Sequence, residues 1–63
     1  MKVNPELVLN RLDKAMANIE RTKQSIQSGN LLGAKGDIHF IIENAQEALY
    51  LLEAELEVSQ SEE

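Results

Sequence analysis

The tripeptide Ser28-Gly29-Asn30 constrains the fold most, because it places the end of one helix beside the start of another. Glycine tolerates the left-handed backbone conformation that commonly ends a helix, and asparagine is a favoured helix N-cap. Long segments with helical periodicity lie on both sides of the tripeptide. Two helices joined by so short a turn run antiparallel, so the sequence predicts an all-α helical hairpin.

The first helix is predicted over about residues 5–28. Asn4 is a suitable N-cap, Pro5 suits the first helical position, and Glu6 places negative charge at the positive end of the helix. Apolar or small residues then recur at alternating spacings of four and three, which is a heptad seam. The seam comprises Val8, Leu12, Ala15, Ile19, Thr22 and Ile26, with Leu9 and Met16 beside it.

The second helix is predicted over about residues 31–58, followed by a polar, disordered tail over residues 59–63. A start near Asp37 is the alternative, because a glycine inside a helix costs about 1 kcal/mol and two glycines precede Asp37. The start at residue 31 is favoured because the apolar phase continues back to it. The apolar seam comprises Leu31, Ala34, Ile38, Ile41, Ala45, Ala48 and Leu52, with Ile42, Leu49 and Leu56 beside it.

Chain length favours assembly with a second copy. Ordering 63 residues is costly for a core of this size, and small domains usually rely on disulfides, a metal or oligomerisation. The chain has no cysteine and one histidine, so we expect neither a disulfide nor a metal or other cofactor. The second helix is apolar on more than one face and therefore needs two neighbours.

The predicted architecture is thus a homodimer in which two hairpins form a four-helix bundle with coiled-coil-like packing. The heptads leave the relative orientation of the two hairpins open, and higher oligomers remain an alternative. The residues predicted to bind the second copy or another protein are Leu12, Ile19, Ile26, Ile38, Ile41, Ala45, Leu49, Tyr50, Leu51, Leu52 and Val58.

Charge is divided unevenly between the two halves of the sequence. All six Lys and Arg lie within residues 1–36, whereas residues 37–63 carry eight acidic side chains. We expect basic residues of the first helix to face acidic residues of the second, and we interpret this pattern as a device that orients the helices. The basic residues are Arg11, Lys14 and Arg21, and the acidic ones are Glu43, Glu47 and Glu53.

Catalysis is not expected. No cysteine is present, and no histidine lies near Ser25 or Ser28 in sequence to activate a hydroxyl nucleophile. Asp37, His39 and Glu43 resemble a metal-ligand cluster, but the Glu-x-x-His motif of di-metal bundles is missing. We interpret these three residues as a solvated polar face.

Two other kinds of binding are alternatives. Arg11, Lys14 and Arg21 would appear twice in a dimer and could meet RNA phosphates. In hairpin size and bundle arrangement the chain resembles the Rop-type plasmid copy-number regulators, which implies RNA binding by paired helices. A small anion or nucleotide is the other candidate, held near Lys35 by the glycine-rich start of the second helix, or at the subunit interface.

Composition also bears on location. The net charge of −5 disfavours non-specific attraction to nucleic acid or an anionic membrane. No apolar run approaches the roughly 20 residues that span a bilayer, and we expect no signal peptide, so the predicted location is the cytoplasm. The function predicted from the sequence is a non-catalytic interaction, adaptor or regulatory module that binds itself and another protein.

Overall fold

The fold is a hairpin of two α-helices. The computed structural model describes the backbone of residues 4–61 and the side chains of residues 4–57. Helix α1 spans Pro5–Gln27 and helix α2 spans Leu31–Ser61, and the two pack against each other in antiparallel orientation. The Cα atoms span 52 × 16 × 10 Å, so the hairpin is a slab one helix thick. The predicted all-helical hairpin is confirmed for these residues.

Helix α1 begins with the predicted cap. The Asn4 side-chain oxygen accepts the Glu6 backbone N–H at 2.9 Å, and the Asn4 carbonyl accepts the Leu7 N–H at 3.0 Å. Pro5 occupies the first helical position, where its missing N–H costs nothing. These contacts satisfy donors that a helix leaves unpaired in its first turn.

The turn after α1 is a Schellman motif. Gly29 has a φ of 80°, the left-handed conformation that glycine adopts without a Cβ penalty. The Asn30 N–H donates to the Ser25 carbonyl at 2.8 Å, and the Gly29 N–H donates to the Ile26 carbonyl at 3.1 Å. Carbonyls in the last turn of α1 are thereby satisfied before the chain reverses.

Asn30 also caps helix α2. Its side-chain oxygen accepts the Gly33 N–H at 3.0 Å, and its carbonyl accepts the Ala34 N–H at 3.0 Å. One residue therefore completes the end of α1 and the start of α2. Of the two starts considered for the second helix, residue 31 is the one that the structure shows, and this cap is the physical reason.

The two glycines in the first turns of α2 have different surroundings. A Cβ on Gly33 would lie 2.5 Å from the Asn30 amide nitrogen, because the capping side chain lies against that position. A Cβ on Gly36 would meet no atom within 4 Å. A methyl group at residue 33 would therefore displace the capping side chain, whereas at residue 36 it would enter open space.

The C-terminal end of α2 differs from the predicted end at residue 58, because the helix continues to Ser61. No glycine or proline follows Gly36, and glutamate, glutamine and leucine are good helix formers, so nothing in the sequence stops the helix earlier. Residues 62 and 63 of the predicted disordered tail lie outside the described residues. Helix α1 ends one residue before the predicted boundary, with Ser28 as its C-cap.

We expect Gly36→Ala to raise the free energy of unfolding by about 0.5–1 kcal/mol, because alanine loses less backbone entropy and its methyl meets open space. Gly33→Ala is the matched control. There the same entropic gain is offset by displacement of the Asn30 side chain, since loss of a cap costs about 1 kcal/mol. Urea denaturation followed by circular dichroism measures both variants, and equal stabilisation by the two would contradict this account of the turn.

Candidate functional site

The contact between α1 and α2 is made by small side chains. The buried apolar residues among the described side chains are Val8, Ala15, Ala34 and Ala48. None of the described large side chains is fully enclosed. Alanine and valine allow close approach of two helices but bury little apolar area. The hairpin alone therefore has a thin core, and its large apolar side chains lie elsewhere.

Two polar residues are also buried between the helices. The Thr22 hydroxyl donates to the Asn18 carbonyl at 2.7 Å, and the Asn44 side-chain amide donates to the Phe40 carbonyl at 3.0 Å. Each donor is satisfied within its own helix, and no buried side-chain polar atom of the described residues lacks a partner. These residues fill space in the contact without leaving a polar group for a ligand.

Fifteen large hydrophobic residues are exposed on the described hairpin, and eleven of them are related by helical spacing. Ten of them follow a buried or half-buried residue of the contact between the helices by one or four positions, as Leu9 and Leu12 follow Val8, and Leu31 precedes Ile38 by about two helical turns. In α1 they are Leu9, Leu12, Met16, Ile19 and Ile26. In α2 they are Leu31, Ile38, Ile42, Leu49, Leu52 and Leu56.

Both sets lie on the same broad side of the hairpin. A shift of one or four residues rotates a position by about 100° or 40° around the helix, in the same sense on α1 and α2. A two-fold rotation about an axis perpendicular to the slab exchanges the two antiparallel helices. This rotation does not exchange the two broad sides of the slab. Equivalent positions on the two helices therefore share a side, and we call this surface the apolar face.

Three further residues obey the same spacing and complete the apolar face. Ala45 is small, whereas Lys23 and Lys35 are the charged members. Arg11 pairs with Glu47 across the hairpin, and this register places Lys23 level with Lys35, near the turn. The apolar face thus consists of hydrophobic side chains interrupted by a single layer that contains two lysines.

The residues predicted to form the partner interface fall into several environments. Seven lie on the apolar face: Leu12, Ile19, Ile26, Ile38, Ala45, Leu49 and Leu52. Ile41 and Leu51 are half-buried beside α1, so much of their surface is already used within the hairpin. Tyr50 is 61% exposed but points away from the apolar face. Val58 lies outside the described side chains.

Five residues of the apolar face, which the sequence places in or beside the two seams, are not among the residues predicted to bind a partner. They are Leu9, Met16, Leu31, Ile42 and Leu56. Heptad periodicity identified the principal seam, but the broader stripe of a bundle helix includes the position that directly follows a buried residue. That one-residue offset was the available signal for Leu9, Met16, Ile42 and Leu56.

The opposite broad side of the hairpin has a shallow groove and a mixture of charges. Leu7, Arg11, Glu47, Tyr50 and Leu51 line the groove. Arg11 Nε lies 2.6 Å from Glu47 Oε2, so this pair shows the predicted contact between a basic residue of the first helix and an acidic residue of the second. The Arg11 side chain is about one-third exposed and that of Glu47 about half exposed, and solvent-exposed pairs contribute only about 0–1 kcal/mol.

The remaining candidate contacts for RNA or an anion are exposed and separate. Lys14 and Arg21 lie on the groove side, whereas Lys35 lies on the apolar face. At the start of α2, Asn30 already accepts the N–H groups of Gly33 and Ala34, so these donors are occupied. The arrangement offers an anion fewer backbone donors than an uncapped helix start would.

The described residues gather no group of three or more metal-ligating side chains of the kind that holds a metal ion. Neither helix, over its described length, is apolar enough to cross a membrane. No protein-family model, curated protein or solved structure matches this chain.

We expect Ala48→Leu to lower the free energy of unfolding by about 1–3 kcal/mol, because a larger side chain forces apart helices that meet through small residues. Ala54→Leu is the control on an exposed position of the same helix, and its effect should stay within about 0.5 kcal/mol. Denaturant unfolding at one fixed protein concentration measures both. Equal effects would show that the close contact at Ala48 does not limit side-chain size.

Proposed function

We propose that this chain is a non-catalytic protein-interaction module that self-associates through the apolar face. The observation that carries the proposal is the concentration of eleven exposed large hydrophobic residues on one side of a slab one helix thick. Contiguous apolar patches of this kind mark interaction surfaces in proteins. A second copy supplies an equally apolar and equally long surface, so the two faces match in chemistry and dimensions.

The exposed area supports this assignment. A compact monomer of this mass exposes about 4,100 Å² by the usual scaling of surface with mass. The hairpin exposes 4892 Å². The excess of about 800 Å² is of the order of the area that each partner buries in a standard protein–protein interface. One additional contact surface of ordinary size would therefore give the chain the exposure of a compact protein.

The opposite side of the hairpin supports an adaptor role. When the apolar face is covered by a second copy, the groove lined by Leu7, Tyr50 and Leu51 faces outward on each subunit. A protein partner with an apolar side chain fits this groove better than RNA does. The nearby Arg11 is already paired with Glu47, so its charge is not available to a phosphate without breaking that contact.

Self-association is tested by native mass spectrometry and by light scattering coupled to size exclusion. We expect a dimer, and we expect Leu49→Gln to raise its dissociation constant by about tenfold or more. Leu49 is 51% exposed in the hairpin, and burying that surface in two copies contributes about 2 kcal/mol. Glutamine keeps the helix propensity close to that of leucine, so the helix itself should persist.

Tyr50→Gln is the matched control, because Tyr50 is the next residue in the chain but points away from the apolar face. It should leave the dissociation constant unchanged and lower affinity for a protein that binds the groove. A wild-type monomer across the micromolar range would overturn the proposal. Equal weakening by both substitutions would show that the interface lies elsewhere on α2.

A further inference from the structure

Building on the proposed self-association, we propose that two copies pack head to tail, with their turns at opposite ends of the four-helix bundle. In this arrangement α1 lies on α1 of the second copy, and α2 lies on α2 of the second copy. The alternative places both turns at the same end. The two lysines on the apolar face distinguish these arrangements.

Two kinds of two-fold axis bring the apolar faces of two copies together. An axis along the helices keeps the turns at one end and lays α1 on the second copy's α2. An axis across the helices, within the interface, puts the turns at opposite ends. Every neighbouring pair of helices is antiparallel in both arrangements, so backbone packing alone favours neither.

The lysine layer disfavours turns at the same end. Lys23 and Lys35 lie level with each other on the apolar face, close to the turn. With an axis along the helices, the lysine layer of one copy would lie against the lysine layer of the second copy. Four ammonium groups would then meet at the subunit interface. Like charges in contact at an interface are strongly unfavourable, because they lose water as well as repel each other. Glu20, 3.6 Å from Lys23, offsets only part of this charge.

The head-to-tail arrangement gives the lysines better neighbours. The turn end of one copy then lies beside the open end of the other, and when the two copies of α1 overlap over their full length the lysine layer is level with Leu9 and Leu49 of the second copy. A lysine can cover such apolar side chains with its hydrocarbon stem while its ammonium group reaches water. At the edge of the interface, Lys35 approaches the level of the second copy's Glu53, which has the opposite charge.

The overall charge distribution favours the same arrangement. Residues 18–40, around the turn, carry three basic and two acidic side chains. Residues 4–17 and 41–61, at the open end, carry two basic and seven acidic side chains. Turns at the same end would gather both acidic ends together, whereas the head-to-tail arrangement places them at opposite ends. One pair opposes it, because Asp13 comes level with the second copy's Glu20, but both side chains are exposed and screened by water.

The absence of cysteine allows a direct distance measurement. Ser28→Cys places a single nitroxide label on the exposed turn, and pulsed dipolar spectroscopy gives the distance between the two labels of a dimer. Head-to-tail packing predicts about 35 Å between the turns, from a rise of 1.5 Å per residue along the bundle. Turns at the same end predict about 15 Å, the diagonal of a bundle with axes 8–10 Å apart.

Ala17→Cys is the control position. It lies near the middle of α1 on the exposed outer surface, so a dimer of either orientation gives a distance below about 25 Å. No dipolar signal at this position would mean that no dimer forms, which overturns the proposed function. A signal at Ala17 together with a short distance at Ser28 overturns only the head-to-tail arrangement.

A second measurement tests the cause. Neutralising the layer with Lys23→Gln and Lys35→Gln, in the Ser28→Cys background, should add a short-distance population, because the repulsion that excludes turns at the same end is removed. The control pair, Lys14→Gln and Arg21→Gln, removes the same number of positive charges from the opposite side of the hairpin. It should leave the long distance between the two labels unchanged. A long distance that persists unchanged in both double variants would overturn the lysine layer as the determinant of orientation.

Discussion

The small side chains between α1 and α2 determine the rest of this structure. Ala15, Ala34 and Ala48 let the helix backbones approach closely, and the larger Ile41 and Leu51 are only half-buried beside this contact. Most of the large apolar residues of both helices lie to one side of the contact. The same feature that closes the hairpin thus leaves it with a thin core and creates the surface on which the proposed function depends.

The turn controls how the two helices are aligned. Asn30 completes the hydrogen bonds at the end of α1 and at the start of α2. Because the two helix ends share this residue, the length of the loop is fixed. This fixes the register in which Arg11 meets Glu47 and Lys23 lies level with Lys35. An insertion between residues 28 and 31 would rotate α2 relative to α1 and divide the apolar face between two sides of the slab.

Local signals in the sequence were sufficient for the hairpin, because capping and turn chemistry are local interactions. Asn4, Pro5, Gly29 and Asn30 each act through contacts within five residues. The apolar face was harder to predict, because a heptad seam does not show which of two adjacent apolar rows packs within the chain. The sequence grouped Val8 with Leu12, yet only Val8 is buried in the hairpin. Likewise, the reason for Gly33 depends on where the Asn30 side chain lies in three dimensions.

Because the core of the single hairpin is thin, protein concentration becomes a variable that controls whether the chain is folded. In the proposed assembly, most of the apolar area is buried when two chains meet rather than when one chain collapses, so folding and association become a single equilibrium. The folded fraction then rises with protein concentration. Dilution would therefore favour the unfolded chain. Chains present at low concentration would be exposed to proteases for longer than chains present at high concentration. The cellular level of such a protein would thereby influence its own lifetime.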